Sequence, residues 1–133
     1  DHLDRVTAIL SSVGKVVTVP ERYQNAVTAI SGSGPAYLMF VVEAMIDAGV
    51  MLGLPRDIAT QLVVQTMLGS AKLLSETGQH PTVLRENVTS PGGTTAAALR
   101  ALEDHRVKAA FITAMEAARD RGQLLADQAR GKH

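Results

Sequence analysis

The hydrophobic positions of this 133-residue chain recur mainly at helical spacing. Leu3, Val6, Ile9 and Leu10 lie on adjoining faces of a first helix, and Gly14 suits the position beyond its end. Apolar faces and turn residues predict further helices over residues 24–30, 35–52, 56–76, 91–105 and 107–128, with a short one around 83–84. The pattern therefore predicts one mostly helical unit.

Residues 15–19, with the sequence KVVTV, form the one segment with a convincing strand pattern. β-branched side chains dominate it, and Pro20 closes it. A lone strand leaves its backbone donors and acceptors unpaired, so it needs a sheet in another chain or in a region outside this sequence. We therefore expect the sequence to be a piece of a longer protein, cut at its start.

The predicted helices are too apolar for one chain to cover. Hydrophobic residues make up 46% of the sequence, and the helices at 35–52 and 56–76 are apolar on most sides. Helices of this kind need several neighbours, so a helical homodimer is expected. The apolar run at 36–42 ends at Glu43, well short of the roughly 18 residues that span a bilayer. It is predicted to be a buried helix rather than a membrane anchor.

Charge and cysteine content exclude several classes of function. The 13 basic and 13 acidic residues balance without a basic block, which argues against binding to nucleic acid or to an anionic membrane. The absence of cysteine excludes disulfides and thiolate metal sites and fits a reducing compartment, so a cytoplasmic location is expected. The four histidines share no ligand spacing, and no metal site is predicted.

The strongest chemical signal is the run NVTSPGGTT at residues 87–95. Ser90 suits a helix N-cap, and Pro91 suits the first helical position. Gly92 and Gly93 would then lie in the first turn, where each costs about 1 kcal/mol relative to alanine. Such a pair indicates that something must approach the backbone closely.

This loop has two interpretations, which the local sequence leaves open. Free N–H groups at a helix start, together with the helix dipole and the hydroxyls of Thr94 and Thr95, favour a bound carboxylate or phosphate. A well-capped helix with a flexible entry uses the same residues. No lysine follows the glycines, so a small carboxylate is a better ligand than a nucleoside triphosphate.

Two other patterns are weaker evidence for a functional site. The GSG at residues 32–34 lacks a third glycine, because Tyr37 stands there, and no strand directly precedes it, so a dinucleotide fingerprint is disfavoured. A turn whose proline starts a helix is the better interpretation, and these residues also suit the border of a ligand pocket. Glu43 and Asp47 are four apart, but without a Glu-x-x-His motif they are better interpreted as solvated or interface-paired carboxylates.

Two motifs resemble a known family. They are AISGSGPAY at residues 29–37 and LxxxVTSPGGTTxxALxxLE at residues 84–103. Both are similar to motifs in the C-terminal domain of the pyrroline-5-carboxylate reductases, and the second is highly specific. The similarity extends over nearly the whole chain, including VGKVV at 13–17, which looks like the end of the family's cofactor domain.

The resemblance implies an architecture. The fold expected is all-α, an interlocked helical dimerisation domain similar to the C-terminal domain of 6-phosphogluconate dehydrogenase, with a short N-terminal strand left over from a missing Rossmann domain. Residues 1–20 would be the remnant of that cofactor domain, and residues 21–133 the dimerisation and substrate-binding domain. A homodimer, or a higher oligomer built of dimers, is implied, with the active site between domains and subunits.

The resemblance also implies a reaction. NADPH or NADH, bound mainly by the missing domain, would reduce 1-pyrroline-5-carboxylate to L-proline in proline biosynthesis. Thr95 would be the catalytic residue, a donor or proton relay at the ring nitrogen, because a threonine hydroxyl is too weak an acid to be the proton source. No metal is implied. The fragment alone is expected to be inactive.

The resemblance assigns further residues to the site. The substrate carboxylate would be held by the Ser90 hydroxyl and by the backbone N–H groups of Gly92, Gly93, Thr94 and Thr95. Val88 and Pro35 would line the pocket wall, and the cofactor edge would touch Ser33 and Gly34.

Two alternatives remain. A non-catalytic helical dimerisation module of the same fold would keep the architecture without the site. A helical domain of a hydroxyacid dehydrogenase would need a catalytic lysine within a helix, and Lys72 is the one candidate, in a setting without an evident partner.

Overall fold

A computed structural model describes residues 2–11 and 14–131, and within them the chain is helical with no strand. The predicted all-α class is confirmed. A 3-10 turn at Glu21–Tyr23 precedes the second helix, and a π-helical turn at Thr28–Gly32 follows it. The α-helices are α1 (His2–Ser11), α2 (Gln24–Val27), α3 (Gly34–Met51), α4 (Arg56–Thr77), α5 (Pro81–Asn87), α6 (Thr94–Asp104) and α7 (Val107–Gly131).

The segment predicted as a strand, residues 15–19, is irregular. A strand needs a hydrogen-bonded neighbour, and no strand lies among the described residues to provide one. Val17 is 81% exposed, whereas the Lys15 Nζ donates a hydrogen bond to the Ser75 Oγ of α4 at 3.1 Å. Residue 13 of the VGKVV motif lies outside the described residues.

The break before α3 is a wide helical turn rather than a loop. The Ser33 N–H donates to the Thr28 carbonyl at 2.8 Å, which makes the predicted helix at 24–30 longer than expected. A Cβ on Gly32 would lie 3.2 Å from Thr28 Cγ2, so glycine allows this turn to close. Pro35 lies in the first turn of α3, as predicted.

Helices α3 and α4 form a hairpin joined by residues 52–55. Gly53 has a φ of +108°, a value that favours glycine. The side chains of Asp47 and Arg56 form an ion pair at 3.1 Å across the hairpin. Both are more than half exposed, so this pair contributes about 1 kcal/mol or less.

Helix α7 packs against α2, the π-helical turn and α6. The Asn25 side chain donates to Gln123 Oε1 at 2.9 Å, and Gln123 donates to Asp127 at the same distance. Arg130 forms an ion pair with the same carboxylate of Asp127. A chain of polar contacts therefore ties α2 to the C-terminal half of α7.

The chain by itself leaves most of its apolar surface exposed. Its accessible surface is 10807 Å², whereas a compact monomer of this mass is expected to expose about 6,700 Å². The hydrophobic side chains reported as buried are those of Ala29 and Ala59. The predicted burial of residues 36–42 is not reached within the chain, since Met39 and Phe40 are 67% and 74% exposed. Such surface needs cover from outside this chain.

Among the described residues, one helical stretch, Glu21–Met51, is long and apolar enough to cross a membrane, with a mean hydropathy of 1.4, and only 6% of its most apolar part is buried. A helix that packs inside a protein has the same length and composition, so these two properties are weak evidence for a span.

Candidate functional site

The candidate loop begins where α5 ends. His80 caps the start of α5, because its Nδ1 accepts the N–H of Thr82 at 3.1 Å. At the other end, the Thr89 N–H donates to the Glu86 carbonyl at 3.1 Å, and the Thr89 hydroxyl donates to the Arg85 carbonyl at 2.6 Å. These two bonds hold Thr89 against the last turn of α5.

Residues 90–93 form a tight turn before α6. The Ser90 carbonyl accepts the Gly93 N–H at 3.0 Å, and Gly92 has a φ of +67°. Proline second and glycine third are the residues that a type II turn prefers. The predicted helical position of Pro91 is therefore wrong, because Gly92 turns left-handed and the helix starts later.

The second glycine, Gly93, is the N-cap residue of α6, with φ −84° and ψ −176°. The predicted N-cap role of Ser90 is therefore also wrong. A Cβ on Gly93 would lie 3.3 Å from both the Cβ and the carbonyl oxygen of Ser90, which explains the glycine by close approach within the turn. Both glycines precede the helix and do not weaken its first turn.

Unpaired backbone donors cluster at this end of α6. Within the described residues, the N–H groups of Gly92, Thr94, Thr95 and Ala96 have no acceptor, and no side chain caps the helix. The Gly93 N–H is already used in the turn. Four N–H groups and the positive end of the helix dipole therefore remain for an anion.

The side chains around these donors are open. Val88 is 67% exposed, Ser90 is exposed and Thr95 is half-buried. In the part of the chain that the structure describes, the hydroxyls of Ser90, Thr94 and Thr95 make no hydrogen bond. In the isolated chain, the predicted anion site therefore lies on an open surface and not in an enclosed pocket.

The residues of the first motif lie on another element. Ser33, Gly34 and Pro35 form the start of α3, and no hydrogen bond or ion pair among the described residues joins them to residues 88–95. Gly34 is buried, yet a Cβ there would meet no atom within 4 Å. The chain alone does not bring the two motifs together into one pocket.

Other candidate chemistry is absent from the described residues. No group of three His, Cys, Asp or Glu side chains among them is placed to hold a metal ion. Lys72, the candidate for a catalytic lysine, has a partner on the exposed surface, because its Nζ lies 3.9 Å from Glu76 Oε1. Asp47, one of the two carboxylates spaced four apart on α3, forms an ion pair with Arg56.

A large apolar groove of about 830 Å³ lies between α3 and the pair α6 and α7. Small side chains on facing helices open it, with Ala44 and Ala48 on α3 and Ala110 and Ala114 on α7. The sequence patterns did not predict this groove. Its full lining is Ala36, Tyr37, Phe40, Val41, Ala44, Met45, Ala48, Leu102, Val107, Ala110, Phe111 and Ala114.

Known proteins that are similar to this chain identify its family. The family model described as pyrroline-5-carboxylate reductase dimerisation matches residues 21–125. The chain belongs to the pyrroline-5-carboxylate reductase family. The Synechocystis sp. pyrroline-5-carboxylate reductase is 50% identical over 125 residues, which cover 94% of this chain and 47% of that protein.

Solved reductases share the fold. The Coxiella burnetii pyrroline-5-carboxylate reductase matches with a TM-score of 0.89 and 40% identity, over 94% of this chain and 47% of that one. The Plasmodium falciparum pyrroline carboxylate reductase, solved with NADP bound, matches with a TM-score of 0.82 and 39% identity, over 89% and 47%. The chain therefore spans about half the length of the relatives it matches.

Within this reductase dimerisation domain, the sequence missed one contact of the loop. The Thr89 hydroxyl donates to the carbonyl of Arg85, four residues earlier, as threonine side chains in helices often do. A threonine placed four residues after a helical residue near a helix end is the sequence signal that could have predicted this contact.

Proposed function

We propose that this chain is the C-terminal, dimerisation and substrate-binding part of a pyrroline-5-carboxylate reductase that reduces 1-pyrroline-5-carboxylate to L-proline with NADPH or NADH. The observation that carries the proposal is the set of unpaired N–H groups at the start of α6, inside the family's most specific motif. Residues 1–20 belong, on this proposal, to the end of the cofactor domain, and residues 21–133 to the helical domain.

The substrate carboxylate binds at the turn before α6. The N–H groups of Gly92, Thr94 and Thr95 donate to it, the Ser90 hydroxyl adds a fourth donor, and the helix dipole favours the negative charge. Gly93 contributes to the tight turn of the backbone and supplies no donor to the substrate, because its N–H donates to the Ser90 carbonyl at 3.0 Å. This refines the five-residue set that the family resemblance implies.

Thr95 orients the ring nitrogen of the substrate. Its hydroxyl makes no hydrogen bond within the described residues, and the residue is half-buried. Thr95 is also the neighbour of Thr94, whose N–H is one of the proposed carboxylate donors. The nitrogen gains a proton in the reaction, and a threonine hydroxyl positions or relays that proton while water is its source. The exposed Val88 and Pro35 then form pocket walls once a second surface covers them.

The start of α3 fits a cofactor edge. The Ser33 hydroxyl makes no hydrogen bond within the described residues, and the open space beside Gly34 allows close approach to the backbone. A bound reduced nicotinamide supplies the hydride for reduction of the C=N bond. Ser33 and Gly34 limit access on one side of it, and most of its binding lies in the N-terminal domain.

The active unit is a homodimer or a higher oligomer built of dimers, located in the cytoplasm. Cover of the apolar groove by a second copy accounts for part of the roughly 4,000 Å² by which the accessible surface exceeds the expectation for a compact monomer. Over two chains this excess amounts to about 8,000 Å², above the roughly 2,000–5,000 Å² that obligate interfaces commonly bury in total, so the N-terminal domain is expected to cover part of this surface as well. No nucleic acid or membrane takes part, and the fragment alone does not turn over.

The test uses the longer protein with its N-terminal domain. Loss of reduced-nicotinamide absorbance on addition of 1-pyrroline-5-carboxylate is expected, and parallel assays with NADPH and NADH identify the preferred cofactor. A folded, cofactor-binding dimer that shows no loss, and that does not bind L-proline in a titration, would contradict the proposal and favour the non-catalytic module.

A further inference from the structure

The loop that precedes α6 has one side-chain anchor among the described residues. Of residues 88–93, only Thr89 makes a hydrogen bond with its side chain, to the Arg85 carbonyl at 2.6 Å. Its N–H adds a second bond, to the Glu86 carbonyl at 3.1 Å. Val88 and Ser90, its neighbours on either side, are exposed. Thr89 is therefore the point at which the loop is fastened to α5.

The same residue also approaches α6. Thr89 and Leu99 line a small groove of about 330 Å³ between α5 and α6, together with charged side chains. The turn at residues 90–93 is held at its far end by the Ser90–Gly93 bond and by its covalent link to α6. At its near end, the Thr89 hydroxyl is the side-chain contact that fixes Ser90 relative to α5, beside the backbone bonds from the Val88 N–H to the Arg85 carbonyl at 3.3 Å and from the Thr89 N–H to the Glu86 carbonyl.

We infer that Thr89 is a positioning residue of the substrate site, acting through Ser90. This inference rests on the proposed function. Loss of the Thr89 hydroxyl leaves the near end of the turn held by backbone bonds alone, so the Ser90 hydroxyl meets the substrate carboxylate in a less fixed geometry. The N–H donors of Thr94 and Thr95 stay in place because the helix holds them, and the Gly92 N–H stays beside them because the Ser90–Gly93 bond and the covalent link to α6 hold that end of the turn. Loss of the Thr89 hydroxyl therefore weakens substrate binding more than it slows the chemical step.

The chain offers a matched control. Thr77 makes the same kind of bond at the end of α4, from its hydroxyl to the Leu73 carbonyl at 2.8 Å, followed by a glycine with positive φ. The Thr77 hydroxyl also accepts the Gln79 N–H at 3.3 Å, and Thr77 lies outside residues 88–95 in the sequence. Thr77→Val is therefore expected to lower thermal stability at least as much as Thr89→Val.

The experiment measures kcat and KM for 1-pyrroline-5-carboxylate in the full-length dimer. Thr89→Val is expected to raise KM roughly tenfold with a smaller change in kcat, Thr89→Ser to stay within about twofold of wild type, and Thr77→Val to leave KM unchanged. On a Ser90→Ala background, Thr89→Val should add nothing, because Thr89 acts through that hydroxyl.

Three outcomes overturn the inference. They are an unchanged KM in folded Thr89→Val, an equal rise of KM in Thr77→Val, and full additivity with Ser90→Ala. If Thr89→Val does not fold, the comparison rests on Thr89→Ala, for which the same KM rise is expected and an unchanged KM is contradictory. An inactive wild type would overturn the proposed function and this inference with it, whereas an active wild type with an unaffected Thr89→Val overturns the inference alone.

Discussion

Gly49 of α3 lies directly against Ala59 of α4, so that a Cβ on residue 49 would be 3.1 Å from the Cβ of Ala59. Ala59 is 1% exposed and is among the few buried hydrophobic residues of the chain. The Asp47–Arg56 ion pair spans the hairpin nearby. The α3–α4 hairpin therefore depends on the absence of a side chain at position 49.

Gly49→Ala is expected to destabilise the domain. The added methyl gains helix propensity of about 1 kcal/mol, but overpacking against Ala59 costs about 1–3 kcal/mol. The net loss of about 1 kcal/mol is measurable by thermal or urea unfolding. Gly69→Ala in α4 is the control, because a Cβ there meets no atom of this chain within 4 Å. Unfolding of Gly49→Ala at or above the wild-type midpoint would contradict the close crossing.

Gly122→Ala tests the contact between α2 and α7. A Cβ at this position would lie 3.1 Å from Asn25 Oδ1, so Asn25 must move and its bond to Gln123 is lost, at a cost of about 1 kcal/mol. In an Asn25→Ala background the clash disappears, and the same substitution becomes neutral or stabilising. Unfolding free energies of the four proteins of this cycle measure the coupling. Equal effects of Gly122→Ala in both backgrounds would refute it.

Ala44→Glu tests the apolar groove as a subunit interface. Ala44 lines the groove between α3 and α7, and a buried carboxylate without a partner costs several kcal/mol. The variant is expected to sediment as a monomer at micromolar concentration, where the wild type is a dimer. Gln79→Glu, in the exposed connection after α4, adds the same charge and should leave the dimer intact. A dimeric Ala44→Glu would place the interface elsewhere, and a monomeric wild type would contradict the dimer itself.

Thr95→Ala tests the proposed role of the threonine hydroxyl. In the full-length protein, turnover should fall roughly 100-fold or more if the contact to the ring nitrogen tightens in the transition state. The nicotinamide absorbance assay measures this directly. Thr94→Ala is the neighbouring control, since only the N–H of Thr94 is assigned to the site and that group is retained. A near-normal rate for Thr95→Ala would remove Thr95 from the catalytic step.

Local patterns predicted the long helices well and the loop less well. The expected helix at 56–76 is observed as Arg56–Thr77, and the expected helix at 35–52 as Gly34–Met51. Turn residues and proline mark these ends through local backbone preferences. The SPGG sequence, in contrast, suits both a helix start and a type II turn, and the φ of Gly92 decides between them.

The family motif predicts a set of site residues, and the structure shows which of their polar groups are already used within the chain. The unpaired N–H groups of Thr94 and Thr95 agree with the expected anion site, whereas the N–H of Gly93 is occupied within the turn. The anchor at Thr89 depends on where α5 ends, which the motif does not specify. Whether these groups bind a substrate carboxylate remains a prediction.

The sequence by itself determined the helical class, the family and the surplus of apolar surface, because periodicity, motif and composition are local or additive properties of a chain. Tertiary structure alone decided that Gly49 and Gly122 are contact points, that small residues open a groove between α3 and α7, and that the candidate site is open in a single chain. These features depend on distances between residues far apart in sequence, and packing of neighbouring helices determines such distances.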